Sequence, residues 1–143
     1  MTAKEYLSQY REAVKDIRAK HEELFALLDD ATGISAPVGE TIHTVGNISD
    51  KVGKNAAAIA DIEREIEEEC ESLRLIRRDI RATISQVHSG SLRRLLTYRY
   101  ICGFTWERIA VKMSYSYKHV VHVLHPRALA AVGDTFQGDQ KCN

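Results

Sequence analysis

Several features that define common protein classes are scarce or absent in this sequence of 143 residues. Only two prolines and eight glycines interrupt the chain, and their scarcity favours long helices. No apolar run approaches the roughly 20 residues needed to cross a bilayer. The first residues, MTAKEYLSQYREAVKD, are charged where a secretory signal is apolar. We therefore expect a cytoplasmic protein with no membrane contact.

Catalytic and metal-binding motifs are also missing. Cys70, Cys102 and Cys142 are odd in number and lack CxxC spacing, which predicts reduced thiols rather than disulfides. The chain has no Gly-rich phosphate-binding loop and no nucleophile motif. The imidazoles of HVVHVLH spread over a wide arc of a helix without a partner carboxylate, and this argues against a metal site. We expect no enzyme, no catalytic residue, no cofactor and no metal.

The net charge of zero conceals an uneven distribution of charge along the chain. Residues 1–48 carry five Lys and Arg against eight Asp and Glu, a net charge of −3. Residues 49–90 carry seven against nine, a net charge of −2, whereas residues 91–143 carry eight against three, a net charge of +5. A basic final third is typical of a phosphate-binding module joined to an acidic scaffold.

The first part of the chain has a heptad pattern. The spacing between apolar residues from Ala3 to Leu28 alternates between four and three positions, with a polar residue at one of these positions. This pattern predicts a helix that ends near DDATG. The residues that follow lack a helical period, so we predict a loop over about residues 31–48. A second helix can begin at Ser49, whose hydroxyl can cap the free amides of its first turn.

This second helix carries its own apolar ladder, which repeats every seven residues from Val52 to Val87. Glu69 and Thr83 occupy two of the intermediate positions, so the seam is imperfect. Two such helices joined by one loop most simply form an antiparallel hairpin over residues 1–88. Self-association of the seams into a homodimer is the alternative.

Residues 89–132 contain shorter helices. A stripe of Leu and Ile between Ser91 and Cys102 predicts one helix, which ends in a turn at Gly103. The final stretch, VGDTFQGDQKCN, contains turn formers and no helical period. We therefore predict a flexible tail over residues 133–143.

The stretch GFTWERIAVKMSYSYKHVVHVLH has the pattern of a helix-turn-helix. Thr105 can cap a helix over residues 106–113, and the small Ala110 on that helix allows a second helix to cross at close range. SYS forms the turn, in which Tyr115 is predicted to plug the core and Ser116 to cap the second helix. The residues predicted to face the core are Ile109, Met113, Val120, Val123 and Leu124.

The outward face of the second helix follows from its buried stripe at about 100° per residue. The candidates for reading base edges on this face are Tyr117, Lys118, Val121, His122 and His125. The candidates for phosphate contact are Arg93, Arg94, Arg108, Lys112 and Arg127. The aromatic residues predicted to pack in the core are Tyr98, Tyr100, Trp106 and Tyr115. A helical module that contacts only protein is the alternative interpretation.

The segment LLTYRYICGFTWERIAVKMSYSYKHVVHVLHPRAL resembles the C-terminal part of a family of small phage and prophage proteins from Gram-positive bacteria, whose end is similar to sigma factor region 4. The string RYI.G.TW..IA..M.YS carries the more specific part of the resemblance. A weaker resemblance extends upstream through YLSQY and SDKVGKNAAAIADIEREI. The resemblance implies DNA binding by a phage transcriptional regulator, with activation of late genes as one form of that activity.

Three positions depart from the family pattern. Ser114 stands where many helix-turn-helix proteins have Gly, the residue that a left-handed bend prefers. Val123 stands where the family often has Arg, and one phosphate contact is thereby lost. Pro126 stands where the family tends to have Gly, and we expect the second helix to kink or end there.

These patterns predict an all-α protein, in which a long N-terminal helical hairpin or coiled coil precedes a C-terminal helix-turn-helix module. The predicted function is that of a phage or prophage transcriptional regulator that reads the major groove of double-stranded DNA in the cytoplasm of a bacterial host cell. The alternative is a protein-interaction adaptor whose region 4-like module contacts RNA polymerase or another phage protein. A homodimer would place two modules on neighbouring half-sites.

Overall fold

The structure, a computed structural model, describes the backbone of residues 1–32 and 45–139 and the side chains of residues 1–31 and 53–137. Every regular element in these residues is helical, which confirms the predicted fold class. Two long helices come first, and a group of shorter helices follows. None of the described helices is both long enough and apolar enough to span a bilayer.

Helix α1 is Ala3–Thr32. Thr2 and Glu5 form a reciprocal cap at its start: the Thr2 N–H donates to Glu5 Oε2 at 2.6 Å, and the Glu5 N–H donates to Thr2 Oγ1 at 3.2 Å. Hydrogen bonds from Thr2 lower the pKa of Glu5. Leu7 and Ile17 are buried, which confirms the predicted apolar stripe at these two positions.

Helix α2 is Val45–Ser85. Ser49 lies inside this helix, so the prediction that Ser49 caps the first turn is wrong. Residues 31–32 and 45–48 of the predicted loop over residues 31–48 are helical. The helix begins with VGN, at residues 45–47, which are weak helix formers. Intrinsic propensity is a weak constraint and does not prevent a helix here. Residues 33–44 lie outside the described residues.

The two polar positions in the ladder of α2 both have partners on α1. Lys20 Nζ lies 2.8 Å from Glu69 Oε1 and 3.0 Å from Glu65 Oε2, and these bonds raise the pKa of Lys20. The hydroxyl oxygens of Tyr6 and Thr83 are 3.1 Å apart. An earlier residue of α1 therefore pairs with a later residue of α2, the order expected of an antiparallel hairpin.

The chain divides into two compact units. The arm unit is Val14–Ser72, and the head unit is Met1–Ala13 together with Leu73–Asn143. The buried apolar residues of the arm unit are Ile17, Ile62 and Ile66. The head unit thus includes both the first residues of α1 and the end of α2, which the sequence had assigned to the scaffold.

A single hydrophobic core holds the head unit together. Its buried members are Leu7, Ile80, Ile84, Val87, Leu95, Leu96, Tyr100, Ile109, Ala110, Val120, Leu124, Ala128 and Val132. Burial of one Leu, Ile or Val side chain contributes about 1.5–3 kcal/mol relative to exposure. The long helices consequently complete the core on which the shorter helices pack.

Residues 90–101 form one continuous helix. It consists of α3 (Gly90–Leu96), capped by the Ser89 hydroxyl, and a π-helical turn (Thr97–Ile101). Gly103, with a φ of 73°, ends this helix as predicted, because glycine adopts positive φ without steric cost.

Residues 117–139 form a second continuous helix. Its parts are α5 (Tyr117–His119), a π-helical turn (Val120–Leu124) and α6 (His125–Asp139). We expected this helix to kink or end at Pro126, and the expectation that it ends there is wrong, because α6 continues to Asp139. The π-helical turn ends at Leu124, two residues before Pro126, and a local change of this kind in the hydrogen-bond register allows a helix to accommodate proline.

The predicted flexible tail over residues 133–143 is also helical where it is described. Helix α6 continues to Asp139. Val132 is fully buried, and the Phe136 ring packs edge-on against Tyr6 with centroids 5.0 Å apart. These two apolar residues are four positions apart, which is the spacing of one helical face. The turn-forming residues between them made this spacing hard to recognise in the sequence. The last residues, QKCN, lie outside the described residues.

We predict that Leu7→Ala lowers the free energy of unfolding by about 2–5 kcal/mol, because it leaves a cavity in the head core. Leu75→Ala is the matched control, since it removes the same atoms from a side chain that is 45% exposed. Chemical denaturation followed by circular dichroism measures both changes. Equally small losses for the two variants would contradict the position of Leu7 in the core.

Candidate nucleic-acid interface

Helix α4 (Trp106–Met113) forms the first half of the candidate interface and has the predicted bounds. The Thr105 hydroxyl accepts a hydrogen bond from the Arg108 backbone N–H at 3.3 Å, which confirms the predicted cap. Glu107 lies in the first turn, where the helix dipole favours a negative charge. The start of α4 is thus fixed by local interactions that the sequence specifies.

Ser114 turns the chain between α4 and the next helix. Its φ of 60° and ψ of 38° are left-handed, and no other non-glycine among the described residues has a positive φ. The Tyr115 N–H donates to the Ala110 carbonyl at 3.0 Å across this bend. The Ser116 hydroxyl then accepts from the His119 N–H at 3.2 Å and caps the second helix as predicted.

Apolar side chains behind the turn fix the crossing of the two helices. Ile109 and Val120 have no exposed surface, and Ala110 and Leu124 are buried beside them. The small side chain of Ala110 leaves room for close approach. The capped helix, three-residue turn and second helix therefore have the predicted helix-turn-helix arrangement.

The outward side of residues 117–122 carries four of the five predicted base-reading side chains. Tyr117 is 45% exposed, Lys118 and His122 are exposed, and Val121 is half-buried. An ammonium and an imidazole can donate hydrogen bonds to base edges, and a valine side chain can contact a thymine methyl group. This part of the helix has the chemistry that groove reading requires.

The prediction that His125 belongs to the outward face is wrong. His125 is only 9% exposed, its Nε2 lies 2.8 Å from the Tyr100 hydroxyl, and its ring lies 4.5 Å from that of Trp106. Burial, with smaller contributions from Lys4 and Arg99, lowers the pKa of His125 to about 4. The π-helical turn before His125 changes the angular register, so that counting 100° per residue placed this side chain on the wrong side.

Tyr115 does not plug the core, contrary to the prediction. Tyr115 is 43% exposed, and the centroid of its ring lies 5.0 Å from the centroid of the His119 ring. Tyr115 is absent from the head core and from the partly buried residues packed against it. Val111 on α4 is 80% exposed. The aromatic residues that do pack in or against the core, as predicted, are Tyr98, Tyr100 and Trp106.

Two of the predicted phosphate-contact residues, both on α4, lie near the ring of Phe104. The Arg108 guanidinium lies 3.9 Å from the centroid of Phe104, and Lys112 Nζ lies 5.4 Å from the same centroid. Both side chains remain exposed. Cation–π contact orients these positive charges while leaving them accessible to an anion.

The other three predicted phosphate-contact residues differ in their surroundings. Arg94 and Arg127 are exposed. Arg93 is partly buried, and its Nη1 donates to the carbonyls of Val87 at 2.6 Å and His88 at 3.0 Å. Arg93 therefore stabilises the connection between α2 and α3 through these hydrogen bonds, and it also contributes positive charge.

Two arginines of the head unit were missed by the sequence analysis. Arg99 lies 4.3 Å from the Trp106 ring centroid and donates to the Phe104 carbonyl at 3.1 Å. Burial, and then the charge of Arg11, lowers the pKa of Arg99. Arg81 is exposed near the end of α2. The heptad pattern had assigned Arg81 to the scaffold, and no local signal links it to the basic module.

Comparison of the chain with protein-family models, with curated proteins and with solved structures finds no match. The resemblance to phage proteins accordingly stays a prediction. Where side chains are described, no group of three His, Cys, Asp or Glu residues is placed to hold a metal ion. The candidate interface is therefore defined by its own geometry and charge.

We predict that burial of His125 makes the protein less stable in acid. In the unfolded chain His125 titrates near 6.5, whereas in the folded protein its pKa is about 4. As pH falls below 6.5 the unfolded state binds more protons, so folding loses up to roughly 3 kcal/mol by about pH 4. His125→Phe should remove this component, which unfolding free energies measured across that pH range will show.

His122→Gln is the control for this experiment, because it removes an exposed imidazole from the same helix. It should retain the acid-dependent loss of the wild type. A His125→Phe profile that runs parallel to the wild-type profile from about pH 7 to pH 4 would contradict a buried, neutral His125.

Proposed function

We propose that the protein is a DNA-binding transcriptional regulator of phage or prophage origin, whose helix-turn-helix reads the major groove. The observation that carries the proposal is the exposed side of residues 117–122 on a capped and well-packed helix pair. A helix fits the major groove, which is about 12 Å wide. Lys118 and His122 offer donors to base-edge acceptors, and Tyr117 can reach a base or a phosphate.

Phosphate contacts supply the part of the affinity that does not depend on sequence. The exposed cations proposed for these contacts are Arg94, Arg108, Lys112 and Arg127. Each phosphate that a cation neutralises releases bound counterions from the duplex, so the affinity should fall as salt rises. The net charge of +5 on residues 91–143 supports this mode of binding.

The proposal includes a homodimer formed through the heptad helices. Phe25 on α1 is 57% exposed and offers apolar surface to a second copy of the arm unit. Two copies would present two helix-turn-helix modules to neighbouring half-sites. Sedimentation at high protein concentration should show a dimer, and a monomer alone would contradict this part of the proposal.

A second candidate function is that of an adaptor that binds RNA polymerase or another phage protein. Val111 and Tyr115, which are 80% and 43% exposed, favour this function because a protein partner would cover their apolar surface. In this case the positive charge of the head unit is incidental. The two candidates differ in whether the protein binds a DNA duplex on its own.

We predict that the protein binds duplex DNA at low salt and that its affinity decreases as salt increases. Lys118→Ala should weaken binding roughly tenfold and relax the sequence preference, because it removes a base contact. Arg108→Ala should weaken binding to all sequences and reduce the slope of log K against log salt by about one, since it removes a phosphate contact. Fluorescence anisotropy with labelled duplexes measures both effects.

Arg64→Ala is the matched control, since Arg64 is an exposed arginine of the arm unit that pairs with Asp61 at 3.2 Å. It should leave DNA binding unchanged. Absence of binding to any duplex at low salt would overturn the DNA-binding proposal and favour the adaptor. Equal losses for Arg64→Ala and Lys118→Ala would also count against reading of DNA by residues 117–122.

A further inference from the structure

We propose that a groove at the junction of α2 and α3 holds a backbone phosphate of the bound duplex, an inference that rests on the DNA-binding function proposed above. The groove is open and has a volume of about 380 Å³. Arg81 from α2 and Arg93 and Arg94 from α3 line it, together with the hydroxyl-bearing Ser85 and Thr97. All of these residues belong to the head unit.

Two of the three guanidinium groups converge above Gly90. A Cβ atom at Gly90 would lie 3.6 Å from Arg93 Nη2 and 3.7 Å from Arg94 Nη1. Two positive charges held near the same point repel each other, and an anion placed between them removes that repulsion. None of the described residues that line the groove is Asp or Glu, so no carboxylate of the lining fills that role.

Both guanidinium groups donate hydrogen bonds within the head unit, and those of Arg93 are the shorter. Arg93 Nη1 is fixed by the carbonyls of Val87 and His88, and Arg94 Nη2 donates to Ser91 Oγ at 3.4 Å. A guanidinium has five N–H donors, so each arginine retains donors for a ligand. Arginine forks match the oxygens of a phosphate, and a group that is already oriented loses less conformational freedom on binding.

Contacts within the head unit connect the groove to the phosphate-contact residues of α4. Tyr98 lines the groove and stacks on Phe104, with ring centroids 5.6 Å apart. Phe104 also contacts Arg108, whose guanidinium lies 3.9 Å from the ring centroid. One aromatic pair therefore links the groove to Arg108. This continuity favours a phosphodiester of the same duplex as the occupant, rather than an unrelated anion.

The test uses Gly90, which lies close to the guanidinium groups of both Arg93 and Arg94. Gly90→Glu introduces a carboxylate beside Arg93 and Arg94, because a Cβ at this position lies within 4 Å of both guanidinium groups. Arg81→Ala removes one lining charge. Arg78→Ala is its control on the same helix, since Arg78 pairs with Asp79 at 3.5 Å and does not line the groove.

We expect Gly90→Glu and Arg81→Ala to weaken binding of mixed-sequence duplexes about tenfold at low salt, the loss typical of one charge-assisted hydrogen bond. Each should reduce the slope of log K against log salt by about one, without changing the preference among duplexes. Arg78→Ala should bind as the wild type does. Circular dichroism and thermal unfolding check that every variant is folded.

The possible outcomes distinguish failure of the groove proposal from failure of the proposed DNA-binding function. If Lys118→Ala weakens binding but Gly90→Glu and Arg81→Ala do not, the groove proposal is overturned and the DNA-binding function stands. If the wild type binds no duplex at low salt, both proposals fail. If Gly90→Glu alters the sequence preference instead of the salt dependence, the groove does not hold a phosphate.

Discussion

The left-handed bend at Ser114 is the constraint on which the candidate interface depends. A left-handed residue other than glycine costs about 1–2 kcal/mol, and this cost must be offset by the surrounding structure. The caps at Thr105 and Ser116 and the burial of Ile109 and Val120 supply that compensation. Because these interactions hold both helices, the outward face of the second helix has a defined direction relative to α4.

The head core extends this constraint to the rest of the head unit. Leu7 and Ile80 from the long helices are buried with the short helices, and Tyr6 contacts Phe136 near the end of α6. The start of α1 and the end of α2 are thus parts of the same core as the helix-turn-helix. Positive charge lies on the outside of this core, where Arg81 and Arg108 are exposed. The head core therefore carries exposed positive charge on its outer side.

Local signals predicted most of the fold and part of the site. Thr105 and Ser116 were identified correctly, since a cap depends only on neighbouring backbone amides. His125 was misplaced because a π-helical turn changes the register, and a periodic count assumes a regular α-helix. The helix was expected to kink or end at Pro126 because proline lacks a backbone N–H and restricts the preceding residue. Arg81 was missed because its relation to Gly90 arises from packing between helices, which no sequence period encodes.

The central claim is that the accessible face of residues 117–122 binds DNA. Backbone amide chemical shifts recorded during titration with duplex DNA at low salt test this claim most directly. We predict that the largest shifts occur at residues 117–122, with smaller shifts near Arg108 and Gly90 and little change in the arm unit. Shifts confined to the arm unit, or none at any DNA concentration, would contradict the assignment of this face to DNA.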